Sequence, residues 1–278
     1  EGKCFCMKLE DSFEEHGHLC LVFEALDMNL TEVIKMYGHH VGLHIKAVRS
    51  YAFKMFKALS LLKRCNVIHA DIKPDNVLVS KDRGTVKLAD FGTAFESQEA
   101  TMTTQLVSRF YRAPEIILGM PHSFPLDIFS MGCCLYELAT GRYLLPSKDE
   151  NHHLSLIMEL QGPFSKKMLS ACHPPFLEQH FAQDGKFLER YTDPLDETRV
   201  MVRRVEMPQK PSRDLAAELL ASYTASGSAG GDQGSSSMVS TDVEVEWVQR
   251  LADLINRCIT LDPRKRITPE EALVHGFF

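Results

Sequence analysis

Residues 69–76 read HADIKPDN, which puts an Asp, a Lys and an Asn at positions 71, 73 and 76 around a proline. A lone Asp or Asn in a turn ordinarily caps backbone N–H groups. This octapeptide does not stand alone. Asn76 to Ser80 is a β-type run, Lys81 to Gly84 a polar turn, and Thr85 to Ala89 a second β-type run. That hairpin leads into DFG at 90–92, and SRFYRAPE follows at 108–115. Separate motifs in this order leave little room for the capping-only reading.

Outward from that centre the chain alternates short strands and amphipathic helices. Leu19 to Glu24 (LCLVFE) is a short apolar strand, with an earlier one over Phe5 to Phe13. Asn29 to Tyr37 reads as a short helix with Asn29 as N-cap. From Leu43 to Arg64, Ile45, Val48, Tyr51, Ala52, Met55, Phe56, Leu59 and Leu62 recur at three and four, one face of a long helix. Leu126 to Ala139 is apolar on nearly all sides, so it predicts a helix buried all round. Trp247 to Ile259 is a further amphipathic helix, and Pro269 to His275 a last one opened by Thr268. Ser222 to Thr241 is rich in Gly and Ser and reads as a flexible surface insertion.

The composition is that of a soluble globular chain: 278 residues, 44% hydrophobic, 24% charged, formal charge −6. An acidic balance argues against direct nucleic-acid binding, which rests on cationic neutralisation of phosphates. The 8 cysteines form no CxxC pair; Cys4 and Cys6, and the adjacent Cys133 and Cys134, suit buried thiols in a reducing compartment. No signal peptide is visible and no apolar run reaches membrane-spanning length, so no membrane partner is expected. The chain opens on Glu1 rather than Met, which reads as a fragment, a processed chain or an incomplete gene product.

HADIKPDN and DFG together resemble the signature of the eukaryotic protein kinases. In phosphoryl transfer from ATP, Asp71 would accept and orient the acceptor hydroxyl's proton, and Lys73 would neutralise charge on the transferring group. Mg²⁺ prefers oxygen ligands, and Asn76 and Asp90 would supply them. Gly92 would free the backbone to turn after Phe91. The fold this implies is α+β, protein-kinase-like and bilobal. Residues 1–24 would be a truncated N-terminal β lobe, and 25–278 the helical C-terminal lobe, with the insertion at 222–241.

Within that class the chain is similar to the CMGC group, and to its splicing-associated pre-mRNA-processing-factor-four kinases in particular. The likeness is carried by LCLVFEALDMNL at 19–30, VGLHIKAVRSY at 41–51, LLKRCNVIHADIKPDNVLV at 61–79, LVSRFYRAPEIILG at 106–119 and LDPRKRIT at 261–268. Ala70 fits it, since most kinases carry Arg there. The resemblance implies an adenine site with Phe23 as gatekeeper, Glu24 and Leu26 offering hinge backbone groups, and Leu78 as floor. Lys73, Asn76 and Asp90 would complete the Mg·ATP contacts. It further implies a Glu115–Arg266 ion pair and an anchoring role for Asp127 under the catalytic loop. The activity implied is that of a Ser/Thr protein kinase acting in the nucleus on protein substrates, splicing factors among them. A catalytically inactive scaffold is the competing reading, disfavoured by the intact Asp71, Lys73, Asn76 and Asp90.

Two departures carry expectations of their own. No glycine-rich loop, VAIK-type lysine or helix-C glutamate can be assigned, so these 278 residues alone are expected to be nearly inactive. Gln105 stands where many CMGC kinases carry a phosphorylated Tyr, and Ala70 removes a phosphate-binding Arg. Dependence on activation-segment phosphorylation is therefore expected to be weak, with Thr101, Thr103 and Thr104 as remaining acceptors and Arg109 and Arg112 as remaining cations.

Overall fold

A computed structural model describes residues 5–38, 41–97, 107–228 and 242–278. The chain opens with an antiparallel hairpin, β1 (Leu9–Glu15) and β2 (His18–Phe23). His16 and Gly17 form its two-residue turn with φ of 49° and 76°, the positive dihedrals that a tight hairpin of this twist requires. The strand expected over Phe5 to Phe13 thus begins later. Phe5–Met7 instead reaches towards the C-terminal lobe, where Leu88 N–H donates to the Phe5 carbonyl (2.7 Å) and Met7 N–H to the Leu88 carbonyl (2.8 Å).

β3 (Met28–Asn29) runs directly into α1 (Leu30–Tyr37). Asn29 caps that helix as the sequence predicts, in a reciprocal box with Glu32: the Glu32 N–H donates to Asn29 Oδ1 and the Asn29 N–H to Glu32 Oε2, both at 2.8 Å. α2 (Ile45–Arg64) buries the predicted apolar face, and β4 (Val67–Ile68) follows it. β5 (Val77–Val79) and β6 (Val86–Leu88) are the two runs flanking the polar turn; with β3 they make a three-stranded sheet. β7 (Phe95–Glu96) pairs with β4.

α3 (Pro114–Ile117) precedes α4 (Pro125–Thr140), the axis of the lobe. Every residue of α4 from Leu126 to Thr140 is buried, which explains a sequence apolar on nearly all sides. There follow α5 (Glu150–Gln161), α6 (Lys166–Leu169), α7 (Pro174–Leu177), the hairpin of β8 (Phe187–Asp193) and β9 (Asp196–Val205), α8 (Leu215–Ser228), α9 (Asp242–Cys258) and α10 (Pro269–Leu273); α8 and α9 pack on α4, α10 on α2 and β8 on α5. A Cβ on Gly132 would lie 2.8 Å from both Cys258 Cβ and Ile259 Cγ2, so only glycine lets α9 pack this closely on α4. Cys6, Cys133 and Cys134 are buried thiols, as the spacing suggested; Cys258 is another, whereas Cys65 is exposed.

The stretch expected to be a flexible insertion from Ser222 onward is in part helix, because α8 continues through Ser228. Tyr223 accounts for this: its hydroxyl donates to the Leu43 carbonyl (3.0 Å), which ties the helix to the start of α2. The rest of that stretch, 229–241, lies outside the described residues.

Glu115 and Arg266 form the pair that the resemblance implied. Arg266 Nη1 and Nη2 donate to Glu115 Oε1 and Oε2 at 2.6 and 2.9 Å, and neither side chain is exposed at all. Arg266 also donates to the carbonyls of Pro125 (2.7 Å) and Thr260 (3.0 Å), so one guanidinium joins α3, the start of α4 and the segment after α9. A buried pair is stable only while both charges remain. Arg266→Met is expected to destabilise the folded protein by roughly 3–5 kcal/mol in urea denaturation, because Glu115 is left buried and unpaired. Glu115→Leu combined with Arg266→Met should recover part of that loss.

Candidate active site

The site is assembled on α4. Asp127, in its first turn, is buried, and Oδ2 and Oδ1 accept the backbone N–H groups of His69 (2.8 Å) and Ala70 (2.9 Å). Burial raises the Asp127 carboxyl above its ordinary value, against the lowering effect of these bonds. Ala70 is held at φ 61°, a left-handed conformation that costs a non-glycine residue about 1–2 kcal/mol. His69 completes the frame. Its Nδ1 accepts the Asp71 N–H (3.2 Å), which leaves the ring proton on Nε2 to donate to the Ala89 carbonyl (2.9 Å).

This frame presents Asp71 to a dense polar cluster. Lys73 Nζ donates to Asp71 Oδ2 (2.6 Å), and Ser108 Oγ donates to Oδ1 (2.7 Å). Asn76 Nδ2 donates to the Asp71 carbonyl (2.9 Å) and to Oδ2 (3.0 Å). Lys73 Nζ also reaches Ser108 Oγ at 3.1 Å. Burial works to raise the Asp71 carboxyl, but the bonds from Lys73, Ser108 and Asn76 outweigh it and hold it below the usual carboxylate range. Asp71, Lys73 and Asn76 are therefore brought together as predicted. The Asn76 amide nitrogen faces Asp71, which leaves Oδ1, an oxygen donor, for a cation.

Beside the cluster lies a cleft of about 590 Å³, lined by Met7, Leu21, Phe23, Leu78, Ala89, Asp90, Phe91 and Gly92. Its size and mainly apolar lining suit a small-molecule site. Of the candidate nucleotide contacts, Phe23, Leu78 and Asp90 line it, whereas Glu24 and Leu26 do not. The Glu24 side chain turns elsewhere, with Oε1 accepting from Lys87 Nζ (2.6 Å) and from the Lys8 N–H (2.7 Å). Asp90 is exposed at φ 58°, and the Gly92 N–H donates to its Oδ1 (3.3 Å). The left-handed residue of DFG is thus Asp90, and Gly92 lies in the turn expected after Phe91, which the Ala94 N–H closes onto the Phe91 carbonyl (3.1 Å).

Sequence reasoning passed over Ser108. It lies 37 positions from Asp71 and looks like an ordinary loop serine, and only the returning chain shows that it bridges Asp71 and Lys73. The residues after it are anchored in turn. Val107 adopts φ 70°, unusual for a β-branched residue, and its carbonyl accepts from Arg112 Nε (3.1 Å) and Nη2 (2.9 Å). Arg112 Nη1 also pairs with Glu150 (2.6 Å), and Arg109 donates to the Lys148 carbonyl (2.6 Å). Both arginines named as cations for a phosphate are thus already engaged. Thr101, Thr103, Thr104 and Gln105 lie outside the described residues. Tyr111 donates to Glu137 Oε2 (2.6 Å). Burial pushes the Glu137 carboxyl up to about 7, with the Tyr111 bond opposing the rise and Asp75 adding to it.

The sequence matches the protein kinase domain over residues 3–278. The chain belongs to the protein kinase family. It is 46% identical over 278 residues to serine/threonine-protein kinase prp4 of Schizosaccharomyces pombe, covering all of this chain and 54% of that protein. It is 42% identical over 276 residues to serine/threonine-protein kinase prpf4B of Dictyostelium discoideum, 99% of this chain and 32% of the relative. Dual specificity tyrosine-phosphorylation-regulated kinase mbk-2 of Caenorhabditis elegans is 36% identical over 267 residues, 95% of this chain and 30% of its own length. The chain thus spans about half or less of the length of these relatives. The resemblance read from HADIKPDN, DFG and SRFYRAPE is borne out.

Two outcomes follow from this geometry, both measured on the full-length kinase. Ser108→Ala removes a hydrogen bond to a charged carboxylate, a loss of roughly 1.5–3 kcal/mol, so kcat/KM should fall about tenfold or more. The acid limb of its pH profile should move up, since Ser108 helps to lower the Asp71 carboxyl. Glu137→Gln tests the second buried carboxyl. Glu137 keeps its proton to about pH 7 in the fold, well above the unfolded chain. Protonation therefore favours folding, fully below the ordinary carboxylate range, and that contribution is lost as pH rises through about 7. Scanning calorimetry should show the wild type losing melting temperature relative to Glu137→Gln across that window.

Proposed function

We propose that this chain is the catalytic core of a serine/threonine protein kinase that transfers the γ-phosphoryl group of ATP to protein hydroxyls. The observation that carries this reading is the cluster of Asp71, Lys73, Asn76 and Ser108 beside a cleft lined by Phe23, Leu78 and Asp90. Asp71, kept ionised, accepts the acceptor hydroxyl's proton and aims its oxygen. Lys73, paired to the same carboxylate, places positive charge where negative charge accumulates. Asn76 Oδ1 and the Asp90 carboxylate suit Mg²⁺, which takes one or two carboxylates and completes its shell with phosphate oxygens and water. When bound, Mg²⁺ would supply charge neutralisation for the triphosphate. The cleft would take adenine between Phe23 and Leu78.

The two prp4-type relatives, at 46% and 42% identity, support a finer reading: a nuclear kinase whose protein substrates include pre-mRNA splicing factors. Asp71→Asn in the full-length kinase is the test. Turnover with Mg·ATP and a basic protein substrate should fall by ~10² to 10⁴ while nucleotide affinity holds, because Asp71 touches the hydroxyl and not ATP. Near-normal turnover would remove Asp71 from the mechanism. Cells carrying only the Asp71→Asn protein should retain introns, and unchanged splicing there would remove the splicing assignment while leaving the kinase reading intact.

A further inference from the structure

The outward stripe of α2 is basic in a chain whose formal charge is −6. At helical spacing, opposite the buried face, stand Lys46, Arg49, Ser50, Phe53, Lys54 and Lys57, with no carboxylate among them. Helix physics disfavours this arrangement. Lys46 lies in the first turn, at the positive end of the helix dipole, where no acidic residue offsets it. Lys46 with Arg49, and Lys54 with Lys57, are like-charge neighbours three apart. An ordinary solvated face would alternate signs.

The stripe also has shape. Lys46, Arg49, Ser50, Phe53, Lys54 and Phe278 line a cleft of about 300 Å³. Phe53 is 38% exposed, with the Phe278 ring 5.5 Å away at a T-shaped angle and Lys57 Nζ 5.4 Å from its centroid. Arg49 lies over Trp247, 5.1 Å from the ring centroid, and its Nε donates to the Phe277 carbonyl (2.7 Å). Lys54 Nζ donates to the Gly84 carbonyl (2.9 Å). Of the neighbouring carboxylates, Glu244 faces His44 (3.4 Å) and Glu270 takes Lys63 (2.7 Å); Asp82, held below the usual carboxylate range first by the Ser80 hydroxyl and then by the Gly84 N–H, also feels the charge of Lys54, so Lys46, Arg49 and Lys57 carry the larger share of the stripe's attraction.

We propose that this groove docks an acidic peptide segment of a protein partner, with acidic residues on both sides of one apolar or aromatic residue. The apolar residue sits on Phe53 and Phe278; the acidic residues meet Lys46 and Arg49 at one end and Lys54 and Lys57 at the other. At a rise of about 1.5 Å per residue the stripe is roughly 16 Å long, which matches about five extended residues. A nucleic acid would bring a regular array of phosphates against a protein of net negative charge, and a membrane needs a flat basic surface; a short cleft with an aromatic floor fits neither as well. None of the groove residues lines the Asp71 cleft, so docking and chemistry are separable.

The test uses the full-length kinase and the fluorescein-labelled heptapeptide DEDFEDE, read by fluorescence anisotropy. Binding should weaken at least about tenfold in Lys46→Glu combined with Lys54→Glu, and also as salt is raised. Replacing the peptide's Phe by Ser should weaken it again. Turnover of a short peptide substrate should be unchanged in that variant and its melting temperature should not fall, since the Lys46 change removes a cation from the helix N-terminus; if the melt falls, Lys46→Gln alone should still weaken binding. The proposal is overturned if either lysine variant binds the heptapeptide as wild type does, or if the Ser peptide binds equally well, which would make the stripe an unspecific cationic face. It is also overturned if oligouridylate or phosphatidylserine vesicles occupy the groove more tightly than the peptide.

Discussion

The Asp127 carboxylate is the constraint on which the site depends. Two backbone N–H groups, those of His69 and Ala70, converge on its two oxygens inside the protein. Those bonds hold Ala70 in a left-handed conformation that the chain would not keep unaided. The next residue is Asp71, so the direction in which the candidate base points is set by a carboxylate it does not touch. Because Asp127 sits on a helix buried on every side, the precision of the catalytic loop is inherited from the core.

The same helix holds the segments next to the site. Ser130 Oγ donates to the Tyr111 carbonyl (2.8 Å), and Glu137 accepts from the Tyr111 hydroxyl. The Pro125 carbonyl takes Arg266, which holds Glu115. Catalytic loop, activation segment and late helices are thus referenced to one rod. Polar side chains on an otherwise apolar helix would be a liability in a plain core, since each buried polar group must find a partner. For Asp127, Ser130 and Glu137 the partner is a segment next to the site; Thr140 instead bonds the Tyr136 and Arg142 carbonyls at the helix end, and Tyr136 bonds Glu218 on α8.

Much of this was legible in the sequence where local rules decide. The Asn29 cap, the apolar face of α2 and the all-apolar run of α4 follow from spacing alone, and the Asp71, Lys73 and Asn76 cluster lies within one short loop. Legibility failed where the reason for a conformation lay far along the chain. The start of α5 carries Asn151 and His153, polar residues that the fold buries, so its apolar period is broken. β9 exposes Val200 and Val202, so its alternation gives no inward apolar face. α8 runs past the point where Ser and Gly accumulate because Tyr223 finds a carbonyl on the α2 side. Ser108 joins Asp71 only when the chain returns after DFG, a contact that no local pattern announces.

The described end of the activation segment shows how such a segment is fixed without an added charge. Ser108 bonds Asp71 and Lys73, Tyr111 bonds Glu137, and Glu115 is clamped by Arg266. Arg112 spends its guanidinium on the Val107 carbonyl and on Glu150, and Arg109 donates to Lys148. A phosphate orders a loop by recruiting guanidinium groups that otherwise lack strong partners. On Arg112 a phosphate would compete with a carboxylate already bound, whereas Arg109 donates to a neutral carbonyl. Ala70, next to Asp71, offers no cation of its own. Ordering of residues 107–115 therefore rests on contacts that the amino-acid sequence itself supplies, and a phosphate on the preceding residues would act on a segment whose far end is already anchored.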